Sequence, residues 1–156
     1  MSLDYKKQSR APGEWVERVR VPVRDASLQA AGYKTAKRNE QDISAVCFAI
    51  AIKREAQNVR QVRIALGGMA GIPKRASNVE AALLGKPWTD ANVRTAMAAM
   101  PRDFTPMSDM RASADYRMRV AQNLLLRFYH ESQSVGGSGA AAGGMRPDAA
   151  AEMRVF

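Results

Sequence analysis

Few side chains in this 156-residue sequence are of types that do chemistry. The only histidine, His130, falls near the end of a helical stretch, where the carbonyl end of the helix dipole favours a cation; that accounts for it without catalysis. The only cysteine, Cys47, sits in an apolar run and is expected to be a buried thiol, as suits a reducing compartment. One Cys and one His make neither an internal disulfide, nor a spaced nucleophile pair, nor a metal-ligand cluster. Glu40 and Asp42 are close enough in sequence for acid–base work, but acidic residues just before a strand commonly satisfy turn N–H groups. No catalytic residue and no metal site is expected.

Three clusters suggest binding. Gly67-Gly68-Met69-Ala70-Gly71 follows a strand pattern, as a phosphate loop would. Such a loop must turn directly onto a helix N-terminus, whereas here Ile72 and Pro73 intervene and no GxGxxG or GxxxxGK[ST] pattern is present. The glycines fit positive φ or close backbone approach better, with Lys74 and Arg75 adding charge beyond them. The densest cluster is Tyr33-Lys34-Thr35-Ala36-Lys37-Arg38. An aromatic beside cations can contact a flat anionic cofactor, and a solvated face has the same composition. Arg111, Tyr116 and Arg117 read as structural: Ser108 and Asp109 cap a helix, and Asp115 is the expected partner of Arg111.

The elements that position these residues change character along the chain. Residues 15–23 carry a strand pattern around Val16, Val19 and Val21, and 32–38 form a weaker extended candidate. In 45–53, Val46, Phe48, Ile50 and Ile52 take one face; Ala45, Cys47, Ala49 and Ala51 take the other, which lets another layer approach closely. A short polar link leads to 59–66, completing an antiparallel hairpin. Helices follow: 78–84, started by Ser77 or Asn78 and ended by Gly85; then one capped by Thr89 that runs to about Met100, where Pro101 stops it. The longest spans 111–131, with Ala114, Met118, Ala121, Leu125 and Phe128 as its apolar stripe. Strands then helices define an α+β fold: an antiparallel sheet of three to four strands followed by three helices packed on one face. Residues 1–132 form this domain, and the Gly/Ala-rich residues 133–156 are expected to be a flexible tail.

Hydrophobic residues make up 46% and charged residues 25%, as in globular proteins generally. No run approaches the roughly 18 apolar residues of a membrane span, and the charged N-terminus lacks a signal-peptide core. Cytoplasmic location is expected. The net charge of +9 raises nucleic-acid binding. The 24 basic residues are scattered, however, and aromatics number only 6% of the chain, so neither nucleic acid nor membrane is an expected partner.

Several ordered motifs carry a resemblance. The run from Gly32 through Tyr33, Lys34, Lys37, Arg38, Asp42 and Ile43 to Val46 resembles the YKxxKRxxxDIxxV segment of the flavin subunit of molybdenum hydroxylases. The upstream run 7–17, the loop 64–76, Glu80 to Gly85, and the block from Asp103 to Arg117 are similar to family segments in the same order. Their wording is nearest to bacterial xanthine dehydrogenases; the alternatives are a carbon monoxide or aldehyde dehydrogenase relative of the same fold, or a stand-alone basic binding module. The resemblance implies the C-terminal domain of an FAD subunit in an oxidoreductase that passes electrons from purines through a molybdenum cofactor and iron–sulfur clusters to FAD, then NAD. Its partners are the N-terminal FAD-binding domain and the molybdenum-containing subunit. The family places a lysine of the YK segment against FAD, and Lys34 occupies that position; Asn39 stands where some relatives carry a further basic residue. The resemblance sets Met1 mid-subunit, without the pyrophosphate loops. The chain alone is therefore expected neither to bind FAD tightly nor to reduce NAD.

Overall fold

A computed structural model describes residues 2–4, 6–21, 25–37 and 43–134. Its centre is an antiparallel sheet of β3 (Leu28–Thr35), β4 (Val46–Glu55), β5 (Asn58–Gly67) and β6 (Lys74–Arg75), hydrogen-bonded in that order. Strand alternation sends Val46, Phe48, Ile50 and Ile52 of β4 and Val62, Ile64 and Leu66 of β5 to one face, all buried. The hairpin is tighter than the polar link suggested: both strands extend until only Ala56 and Gln57 turn, with Ala56 at φ 52°. Three helices, α1 (Ser77–Leu83), α2 (Asp90–Asp103) and α3 (Ala114–Ser134), cover the apolar face. The expected α+β arrangement is the observed one. Among the described residues, no helix is long and apolar enough to cross a membrane.

The helix boundaries show what local pattern misses. Neither Ser77 nor Asn78 caps α1; both lie inside it. Its first amides, Asn78 N–H and Val79 N–H, donate to the buried carboxylate of Asp103 at 3.0 and 3.1 Å, so the cap comes from the end of α2. Gly85 does follow α1 with φ 74°, the left-handed conformation that ends helices cheaply. Thr89 caps α2 by accepting from Asn92 N–H. Pro101 does not stop α2 but rides in its last turn. A proline lacks the N–H that would bond the carbonyl four residues back. That carbonyl, on Met97, instead accepts from Gln122 Nε2 of α3 at 3.0 Å.

α3 begins at Ala114, not Arg111. The residues before it form a turn held by Asp109, which accepts from Arg111 N–H and Ala112 N–H. Ser108 Oγ accepts from Ala114 N–H, and Ser113 Oγ from Tyr116 N–H. Trp88, a break in the sequence pattern, is a core residue: its ring packs edge-on to Phe128 and Tyr129, and its Nε1 donates to Ser132 Oγ at 2.9 Å.

Three expectations fail at the N-terminal side and at Cys47. Residues 15–21 are not a strand: Trp15, Val16, Val19 and Val21 are 78%, 67%, 76% and 82% exposed, and no described strand pairs with them. The spacing from Val16 to Val19 breaks the period of two, so no single face gathers the valines. Two short strands precede that segment, β1 (Ser2–Asp4) and β2 (Lys7–Gln8), paired only with each other. β3 starts four residues earlier than the 32–38 candidate and ends at Thr35. Cys47 is exposed, because alternation sends it away from the helices. Glu40 and Asp42, expected to serve a turn before the strand, lie with Arg38 and Asn39 outside the described residues, as do tail residues 135–156.

Candidate functional site

The sheet face opposite the helices is unlike an ordinary solvent face. Register places Lys34, Cys47 and Gly67 in one cross-strand row, Gly32, Ala49 and Ala65 in the next, and Ala30, Ala51 and Arg63 in a third. Seven of these nine positions carry a side chain no longer than a methyl or thiol. The result is a flat floor with Lys34 and Arg63, both exposed, at diagonal corners. Among the described residues, none pairs with the Lys34 side chain by hydrogen bond or ion pair.

Tyr33 does not share this face, so the densest cluster in the sequence is split by the pleat. Its ring turns inward beside Phe48, with centroids 6.2 Å apart. The Arg127 guanidinium lies over it at 4.9 Å, and its hydroxyl donates to Glu131, which also accepts from Arg127 Nε at 2.6 Å. Burial, reinforced by the Glu131 carboxylate, raises the Tyr33 hydroxyl above its ordinary pKa. The Tyr33 and Arg127 hydrogen bonds hold Glu131 below the usual carboxylate value. Tyr33 thus ties β3 to α3 and cannot stack on a ligand above Lys34.

The other two clusters are also consumed internally. Gly68 has φ 79°, and a Cβ there would stand 2.4 Å from the Ala45 carbonyl, so close approach explains it. Lys74 Nζ donates to Asp103 O at 2.7 Å, and Arg75 pairs with Glu80; the loop offers no free cation. Arg111 pairs with Asp109 at 3.3 Å and not with Asp115, because the turn brings residue 109 beside it before the helix begins. Arg117 is the hub of this region. Its side chain is 4% exposed; it donates through Nη1 to Ala45 O and Gly68 O, and through Nη2 to Asp109. Tyr116 and Lys37 face a recess of about 310 Å³ between the end of β3 and the start of α3. His130 is exposed at the end of α3, its ring edge-on to Tyr129. Among the described residues, no group of three or more His, Cys, Asp or Glu side chains is placed to hold a metal.

This sheet-and-helix domain has known relatives. The CO dehydrogenase flavoprotein C-terminal domain matches residues 31–132. The chain is 31% identical over 119 residues to the glyceraldehyde dehydrogenase medium chain of Sulfolobus acidocaldarius, covering 76% of this chain and 42% of that one. It is also 31% identical over 131 residues to the xanthine dehydrogenase of Emericella nidulans, covering 81% of this chain and 10% of the relative. The structure of the carbon monoxide dehydrogenase from Hydrogenophaga pseudoflava that lacks the Mo-pyranopterin moiety superposes with a TM-score of 0.63 at 34% identity, covering 69% of this chain and 37% of that one. The chain belongs to the CO dehydrogenase flavoprotein C-terminal domain family, the last domain of the FAD subunit of molybdenum hydroxylases. It spans less than half the length of these relatives.

Proposed function

We propose that this domain serves the FAD subunit of a cytoplasmic xanthine dehydrogenase, supporting the transfer of two electrons from purine oxidation through the flavin to NAD. The observation that carries the reading is Lys34: it holds the family's flavin-contacting position and stands exposed on a flat floor, unpaired among the described residues. A cation beside small side chains fits an edge contact to a planar cofactor that carries partial negative charge. The rest of a flavin site does not fit this chain, since Gly68, Lys74 and Arg75 are committed to internal contacts. Bound flavin would supply the electron carrier; Lys34 would orient it and favour negative charge at the edge it touches. The pyrophosphate cradle is assigned to an N-terminal FAD-binding domain, and the molybdenum cofactor and iron–sulfur clusters to the molybdenum-containing subunit and its partner domains. The domain is read as 1–132, with 133–156 as an appended tail.

A second reading, a carbon monoxide or aldehyde dehydrogenase, is favoured by the glyceraldehyde dehydrogenase and carbon monoxide dehydrogenase matches. Copurifying the subunits that assemble with this chain, then measuring NADH formation from hypoxanthine beside dye reduction by aldehydes and CO, separates the two. Turnover of aldehyde or CO without purine selects the second. Titrating the chain alone with FAD and following flavin fluorescence should show no micromolar binding; such binding would refute the division of the cofactor site.

A further inference from the structure

We infer that Arg117 is a positioning residue for the flavin contact: it holds Lys34 in place from the opposite side of the sheet, through the backbone ends of β3, β4 and β5. This rests on the reading of Lys34 given above and adds the residue that sets its position.

Lys34 stands one residue from the end of β3, an edge strand of the described sheet. Its row, with Cys47 and Gly67, is the last that all three strands share. Strand ends fray unless something beyond the ladder holds them. Here each strand is caught just past that row. Thr35 O, at the end of β3, accepts from Ala45 N–H at 2.7 Å. Ala45 O, before β4, and Gly68 O, after β5, both accept from Arg117 Nη1, the second at 2.9 Å. Ala45 is therefore the link: its N–H reaches β3 and its carbonyl reaches the guanidinium.

Arg117 belongs to α3, on the inner side of the sheet, whereas Lys34 is on the outer side. Any influence of one on the other passes through these backbone groups. The guanidinium is itself oriented, since Nη2 donates to Asp109 at 2.6 Å and Asp109 is fixed in turn by Arg111 N–H and Ala112 N–H. Its side chain is 4% exposed, and Nε is buried with no partner among the described residues. Burying a guanidinium is a costly way to stabilise a fold, because apolar side chains of similar volume often do as well. A rigid fork of donors does what they cannot, which is to fix two carbonyls relative to each other. Gly68 keeps the space open for this contact: a Cβ there would stand 2.4 Å from Ala45 O and 3.2 Å from Arg117 Nη1. Lys34 needs such help. Its flexible stem has no partner among the described residues, so the strand end is what locates its ammonium group.

The test uses the flavin-loaded complex that copurifies with this chain and reads the flavin midpoint potential. A cation at the flavin edge favours the reduced, more negative form. Lys34→Met should move the reduced-to-oxidised ratio at a fixed potential at least about tenfold toward oxidised, about 30 mV for a two-electron couple. Arg117→Met should act in the same direction, and the double variant should go no further than Lys34→Met alone. Gly68→Ala, which crowds the clamp without changing any charge, should reproduce the Arg117→Met shift. Asp103→Ala weakens the fold without touching the clamp and should keep the parent potential. In the parent chain alone, Ala45 N–H should exchange as slowly as the amides of central β4. Fast exchange there would show that the sheet end frays despite the guanidinium, and would overturn the inference before any variant is made. Additive shifts in the double variant, or Gly68→Ala at the parent potential, identify a through-space charge effect and overturn it too, while sparing Lys34 as the flavin contact. Lys34→Met at the parent potential overturns the reading of Lys34 itself.

Discussion

Arg117→Met is expected to cost this domain about 3 kcal/mol of stability, because it removes the donor half of a buried network while keeping most of the apolar stem. Two acceptors, Ala45 O and Gly68 O, lose the guanidinium that pins the start of β4 to the end of β5. A buried carbonyl left unpaired costs about 1–3 kcal/mol, and breaking a buried ion pair from one side typically costs about 3–5 kcal/mol. Two features moderate the sum. Asp109 keeps the N–H groups of Arg111 and Ala112, and the substitution also removes Nε, a buried donor with no partner. For a folded unit of this size the loss corresponds to a drop of roughly 10 °C in melting temperature. Urea and thermal unfolding followed by circular dichroism at pH 7 measure it. Asp115→Ala is the control and should change stability little, since Asp115 is exposed and is not the partner of Arg111. An Arg117→Met variant within about 0.5 kcal/mol of the parent, the range of ordinary surface changes, would refute the claim that this guanidinium organises the sheet end.

Two further outcomes follow from carboxylates whose roles differ. The Asp109 carboxyl sits at about 2 against an ordinary 3.8, held there first by the N–H of Arg111, then by that of Ala112 and the Arg117 guanidinium. A lowered folded-state pKa gives stability that is complete above about pH 4 and is lost as pH falls through about 2. The parent should therefore lose stability more steeply than Asp109→Asn across that window in acid unfolding curves; parallel curves would remove Asp109 from the account. Asp103→Ala strips the long-range cap from α1 and should cost about 1–3 kcal/mol. Amide exchange at Asn78 and Val79 should quicken more than exchange along β4, and uniform quickening would show that Asp103 acts on the whole fold instead.

The β4–β5 hairpin and most of the α3 stripe were legible because period and burial coincide there: Val46, Phe48, Ile50, Ile52, Ala121, Leu125 and Phe128 are buried, while Ala114 and Met118 of the stripe are half-buried. Boundaries failed where a partner distant in sequence decided them. The α1 cap is supplied by Asp103, 25 residues beyond Asn78, and α2 continues through Pro101 because Gln122, 25 residues beyond Met97, takes the released carbonyl. Pairing Arg111 with Asp115 assumes a helix three residues too soon, where the Asp109 turn claims Arg111 instead. Of the binding cluster, the flavin contact expected at Lys34 came from the family motif and not from the pattern of residue types. Its separation from Tyr33 follows from the pleat alone, and was available as soon as 28–35 was known to be a strand.

Cys47 shows how composition alone misses one-sided burial. Its run, Ala45 to Ala51, has the composition of a doubly buried strand, so a buried thiol was the natural expectation. In the domain, Val46, Phe48 and Ile50 of that run are buried under the helices, and Ala45 is buried too, whereas Cys47 and Ala49 are exposed and Ala51 is half-buried. The pleat decides which side chain meets the helices, and small residues fit either face. The exposed Trp15, Val16, Val19 and Val21 follow the same logic, since a large apolar side chain left in water loses the burial that would offset the cost of ordering it. Composition therefore names the candidates for burial, and the pleat and the strand pairing decide which of them reach it.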